Sequence, residues 1–183
     1  MIVFATVLDC EAWFAENHAD HRGFWLKIGK VGMTQSVSYA EALDVALCHG
    51  WIDGQKRASD DAYWLQRFTP RGPRSSWSRI NRDRAEALIV AGRMHPGGQA
   101  QVDAAKADGR WARAYPGQKD AAVPADLAAA LAADLQAKKF FETLTNANRY
   151  AILYRIHDAK RPQTRAARIA MFVQMCHNGE TIH

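Results

Sequence analysis

At 183 residues, with 48% apolar and 23% charged side chains, the chain can bury roughly 70% of the surface its unfolded form exposes, so it needs no covalent staples. No apolar run approaches bilayer length, and the opening MIVFATVLDC lacks a basic start and meets Asp9 and Glu11 too soon for a signal peptide. The net charge of +5 is uneven: residues 71–93 carry six cations against two acids, and residues 149–168 six against one. Both clusters are rich in arginine, whose planar fork suits carboxylates and phosphates.

Val3–Val7 reads as a first or edge strand, and Asp9 as the N-cap of a short helix bearing Cys10, Trp13 and Phe14 on one face. Gly23–Lys30 alternates, with Phe24, Leu26 and Ile28 to one side, which predicts a half-buried strand. Ser38–Glu41 has the form of a capping box and opens a helix that closes at Gly50. Trp51–Arg57 and Tyr63–Phe68 read as an antiparallel strand pair joined by the polar turn Ser59-Asp60-Asp61.

Pro70 and Pro73 end strand character, and the serines at 75, 76 and 78 offer caps for a helix reaching about Ala91. Beyond it the pattern is helical throughout. Pro96 opens one helix, Tyr115–Ala122 is the plausible linker, and Pro124, Asp134, Thr145 and Pro162 start four more. This order predicts an α+β fold: a short antiparallel sheet with flanking helices in the N-terminal half, then an all-helical bundle. Residues 1–115 and 116–183 are the expected divisions.

The chemistry concentrates at the junction Arg71–Asn81. A helix N-terminus presents unpaired N–H groups and partial positive charge, which favours anions. Ser76 and Ser78 can add hydroxyl donors there, beside Trp77 and Asn81, and Arg71 and Arg74 flank the entry. Strand alternation carries Trp51, Asp53, Gln55 and Arg57 onto one face, with Arg67 on the paired strand. That set predicts an anion or partner site; the alternative is an internal ion-pair hub in which Asp53 neutralises Arg67 or Arg71.

Other chemistry has less support. Cys48 and His49 are adjacent, so they point about 100° apart on a helix and make no ready nucleophile–base pair. Cys10, Cys48 and Cys176 are odd in number, scattered and set among apolar residues, the pattern of reduced thiols in a cytoplasmic protein. His18 with His21, and His177 with His183, lack a metal-ligand spacing. Neither a phosphate loop nor a nucleophile elbow is present, and no cofactor is implied.

The runs ALCHGWIDGQKR and RFTPRGPRSSWSRIN, followed by GRMHPGGQAQVDAAKADGRW, FFETL and AKRPQTRAARIAMFV, resemble the bacteriocin-protection family, also called YdeI/OmpD-associated. The resemblance implies a role in protection against antimicrobial peptides or envelope stress, exerted by binding. A basic site would repel cationic peptides, so the implied partner is an acidic protein or an anionic small molecule. An enzyme using Asp53 as acid or base on a phosphorylated or carboxylated substrate is one alternative. Nucleic-acid binding through Arg149, Arg155, Arg165 and Arg168 is another.

Overall fold

The computed structural model describes residues 1–19, 22–32 and 35–183, and its fold is α+β. The chain divides into two compact units, Met1–Ala114 and Tyr115–His183. All described strands lie in the first.

Helix α1, Val7–Asn17, starts three residues earlier than Asp9 would allow as its cap. Thr6 is the N-cap: its hydroxyl accepts from the Asp9 N–H, and the Asp9 carboxylate accepts from the Thr6 N–H at 2.9 Å. This reciprocal pair satisfies two otherwise orphaned donors and converts the expected strand at Val3–Val7 into a helix start. Among the described residues, the sheet contact beside this segment is an isolated parallel bridge from Ile2 to Leu26. Strand β1, Phe24–Gly29, and helix α2, Tyr39–Cys48, form as the alternation and the Ser38–Glu41 capping box predict. Gly50 closes α2 at φ +80, a backbone conformation that a side chain would strain.

Strands β2, Trp51–Ala58, and β3, Tyr63–Pro70, complete a three-stranded antiparallel sheet in the order β1-β3-β2. One face carries Phe24, Leu26, Ile28, Phe68 and Trp51, all buried. Phe14 from α1 meets Trp51 and Phe24 edge-on at 5.2 and 5.8 Å, and α2 packs against β2. Burying each such side chain contributes about 1.5–3 kcal/mol, so this aromatic layer anchors the unit. Helices α3, Arg79–Val90, and α4, Pro96–Ala107, follow. Arg84 on α3 finds its partner in Asp44 of α2, at 2.8 Å.

The sheet departs from simple alternation at one place. Asp53 pairs with Phe68 and Lys56 with Gln66, so Gly54 and Gln55 together oppose Arg67 in a β-bulge. A bulge inserts one residue and reverses which face the rest of the strand presents. Trp51 and Asp53 therefore lie on the helix-covered face, whereas Arg57, paired with Leu65, lies on the other. The expectation that Trp51, Asp53, Gln55 and Arg57 share one face is corrected by this extra residue. Gln66, 4% exposed, holds the bulge in place: its side-chain amide donates to the carbonyls of Gly54 and Gln55 at 3.0 and 3.3 Å.

In the second unit, α5 (Ala125–Ala132), α6 (Leu135–Thr143) and α7 (Asn146–His157) all pack on α8 (Pro162–His177). Leu131, Phe141, Ile152, Ile156 and Phe172 form its core. Asp134 and Thr145 cap α6 and α7 as their positions predict. Asp134 also accepts from His177 Nδ1 at 2.9 Å, tying the end of α8 to the start of α6.

All six tryptophans precede Tyr115, so their fluorescence follows the first unit alone. Replacing Gln66 by Leu removes the side-chain donor to the bulge carbonyls, and chemical denaturation read by tryptophan emission should show a loss of about 1–2 kcal/mol. A change within experimental error would mean that the bulge needs no such tie.

Candidate functional site

The ten residues expected to form one site are not gathered in one place. Asp53 is on the helix-covered sheet face, where the Tyr39 hydroxyl donates to its carboxylate at 2.8 Å. Among the described residues it forms no ion pair with Arg67 or Arg71. Arg71 and Trp77 are in the core, and Arg74 and Ser76 are on the surface. Ser78 caps α3 by accepting from the Asn81 N–H at 3.1 Å. Gln55, Arg57 and Arg67 belong to the bulge and to the face it opens.

Arg71 is 5% exposed, and its guanidinium lies 3.5 Å from the centre of the Trp77 ring. Its Nη1 donates to the Ser76 carbonyl at 3.3 Å. Arg110, which the sequence reading did not single out, does the same for the preceding residue: Nη1 donates to the Ser75 carbonyl at 2.9 Å while Nε is tied to Asp108 at 2.6 Å. Trp111 packs edge-on against Trp77 at 4.8 Å. Two arginines and two tryptophans thus brace the turn before α3, where the sequence predicts an anion hollow. Arg71→Ala should cost the first unit about 2–4 kcal/mol, because it removes a buried stacked cation. Arg74→Ala should stay within about 0.5 kcal/mol; equal effects in a denaturation series would contradict this division.

Beyond the bulge the free sheet face presents Trp25, Lys27, Tyr63, Leu65, Arg67 and Arg57. The Arg57 and Arg67 guanidinium carbons lie 4.6 and 5.9 Å from the Trp25 ring centre. To reach it, Arg57 crosses β3, a span of about 10 Å at ordinary inter-strand spacing. Among the described residues its hydrogen bond is to Gln55 Oε1 at 3.3 Å, and neither guanidinium meets a carboxylate there. Lys27 sits 5.1 Å over Tyr63 and shares Asp60 at 3.4 Å. Two cations therefore converge on one ring with their charge unneutralised, which is the property an anion site needs.

The basic stretch at residues 149–168 is differently placed. Arg165 forms a forked pair with Asp126 at 2.6 and 2.9 Å and donates to the Ile156 carbonyl. Arg168 lies 3.7 Å from Asp158 and also reaches the Arg155 carbonyl. Arg149 and Arg155 donate to the carbonyls of Glu142 and Ala151. These arginines are engaged in tying their own helices together.

One cluster has no local sequence signature. His49, 5% exposed, stacks on His95 at 4.1 Å and on Phe14 at 5.5 Å, with His18 at 4.9 Å. The three histidines lie at three helix ends far apart in sequence, so no local spacing reveals them. His49 Nδ1 is buried without a hydrogen-bond partner. Burial, then the neighbouring charges of His95 and His18, hold its pKa down to about 4. His21 lies outside the described residues, and among those described no group of three or more His, Cys, Asp or Glu is arranged to hold a metal ion. In the same cleft, burial pushes the Cys48 thiol up to about 11, so it stays protonated and offers no thiolate nucleophile.

A histidine that binds its proton less readily when folded makes protonation favour the unfolded chain. Its stabilising effect is complete above about pH 6.5 and is lost progressively toward pH 4. The first unit should lose up to about 3 kcal/mol across that interval. His49→Phe keeps the stack and should flatten the dependence; an unchanged pH profile in that variant would assign the acid sensitivity elsewhere.

Two family models match the chain. The one described as "Domain of unknown function (DUF8412)" matches residues 2–101, which include the sheet, Trp25, Arg57 and Arg67. The one described as "Bacteriocin-protection, YdeI or OmpD-Associated" matches residues 120–179. FFETL and AKRPQTRAARIAMFV lie within the second match, whereas ALCHGWIDGQKR and RFTPRGPRSSWSRIN lie within the first. No curated protein and no solved structure matches the chain. No helix among the described residues is long and apolar enough to cross a membrane.

Proposed function

This chain belongs to the family described as a domain of unknown function (DUF8412), and on that footing we propose that it is a non-enzymatic binding protein whose free sheet face takes an anionic partner. The observation that carries the reading is the pair Arg57 and Arg67, gathered over Trp25 without a carboxylate. A phosphate or carboxylate there would meet two guanidinium forks at once. The bacteriocin-protection match over residues 120–179 supports a part in defence against antimicrobial peptides or envelope stress. In that role the basic face engages an anionic component and not the cationic peptide itself. Three buried, unbridged thiols support a reducing, cytoplasmic setting.

Binding is preferred to catalysis because the acid and the cations do not meet. Asp53 is bonded to Tyr39 on the helix-covered face, and Arg57 and Arg67 are on the opposite one. A general acid or base must come within hydrogen-bond reach of the bond that its anion clamp positions.

Retention of the full chain on immobilised heparin, a sulfated polyanion, tests the reading. Joint substitution of Arg57→Ala and Arg67→Ala should lower the eluting salt by about 0.1 M or more. Loss of two exposed lysines in the other unit, Lys138→Ala with Lys139→Ala, should shift it far less. Equal shifts would reduce the interaction to net charge and remove the site.

A further inference from the structure

We propose that this sheet face is a platform for single-stranded nucleic acid, with phosphates held by Arg57, Arg67 and Lys27 and a base stacked at Trp25. The proposal rests on the anion-binding reading and names its ligand class. Every cation on the face is also laid over an aromatic ring: Arg57 and Arg67 over Trp25, Lys27 over Tyr63. An acidic peptide uses only the charges of such a surface. A nucleic-acid strand uses both parts, because each nucleotide joins a phosphate to a planar base, and base–aromatic stacking with arginine alongside is how strand-binding surfaces work.

A duplex fits less well. Its bases are hidden in their own stack, and reading its grooves needs a projecting helix or ribbon, whereas the cations and rings here spread across a short sheet. The surface is also built to release its cations. Arg57 gives up only a 3.3 Å bond to Gln55, and Lys27 only a 3.4 Å pair with an exposed Asp60. A shallow groove lined by Lys30, Lys56, Arg57 and Trp64 shares Arg57 with this face, and Lys56 lies 4.2 Å over Trp64 on the helix-covered side of the sheet. It continues the same pairing of cation and ring around the β2 edge, where a strand of several nucleotides would run. No base edge is read by a dedicated donor, so the expected preference is for single strands and not for a sequence.

The test uses the full chain and a fluorescein-labelled oligothymidylate, followed by anisotropy from low to moderate salt, with an unlabelled duplex and poly-L-glutamate as competitors. The oligothymidylate should bind with an affinity that falls as salt rises, and the duplex and the polypeptide should compete poorly. Trp25→Ala should weaken binding about tenfold at an unchanged salt slope, since a stacked base carries no charge. The Arg57→Ala, Arg67→Ala pair should make the slope shallower by about 1.4, at about 0.7 per phosphate contact on a single strand. Because Trp25→Ala also removes a side chain of the sheet itself, ultraviolet crosslinking of the unaltered protein supplies a second readout: the adduct should map to Trp25 or Tyr63. Poly-L-glutamate binding as well as the oligonucleotide, or a crosslink elsewhere, overturns the nucleic-acid assignment and leaves the anion site standing. Failure to bind heparin, polypeptide and oligonucleotide alike ends both.

Discussion

One extra residue in strand β2 organises the first unit. Because Gly54 and Gln55 share a single partner, the strand is divided between two environments. Its first part supplies Trp51 and Asp53 to the helix-covered side, and its last part supplies Arg57 to the free side. A regular strand would have set Arg57 opposite Trp64 on the helix-covered side of the sheet, away from Trp25. The bulge therefore brings Arg57 to the face that carries Trp25 and Arg67. Gln66 makes it stable: a polar side chain in the core is tolerated because its amide is spent on the carbonyls the bulge leaves over.

Arginines over tryptophans occur twice in this unit, with different consequences. Arg71 lies flat on Trp77 and directs an N–H at a main-chain carbonyl within the core. Its polar groups belong to the fold. Arg57 and Arg67 lie over Trp25 at the surface, and only Arg57 has a bond, a weak one, to a neighbouring side chain. The two pairings look alike by composition. They are separated by burial and by where the remaining N–H groups end, which is why one is a brace and the other a candidate contact. The same distinction applies to the second unit, where Arg165 and Arg168 are committed to Asp126 and Asp158.

The histidine stack shows a third way in which distant segments meet. His18, His49 and His95 terminate or begin three different helices. They are brought together because α1 and α2 end, and α4 begins, near one cleft. Holding His49 neutral in that setting makes the unit's stability depend on acidity without involving the sheet face.

Much of the architecture could be read locally. Caps at Ser38, Ser78, Asp134 and Thr145 announce their helices because the side chain and the N–H it satisfies are three residues apart. The alternation of Phe24, Leu26 and Ile28 declares a half-buried strand for the same reason of short range. Thr6 could have been found by the same rule, since Asp9 stands three residues on. The fate of the charged residues could not. Whether Arg71 is a brace or a ligand contact depends on Trp77 and the Ser76 carbonyl folding back upon it. Whether Arg57 joins Asp53 or Trp25 depends on a register shift that Gly54 permits but does not announce. Hydrogen-bonding rules within one turn of chain determined the elements. Only the tertiary structure, through strand register and the burial it imposes, decided which cations were left for a partner.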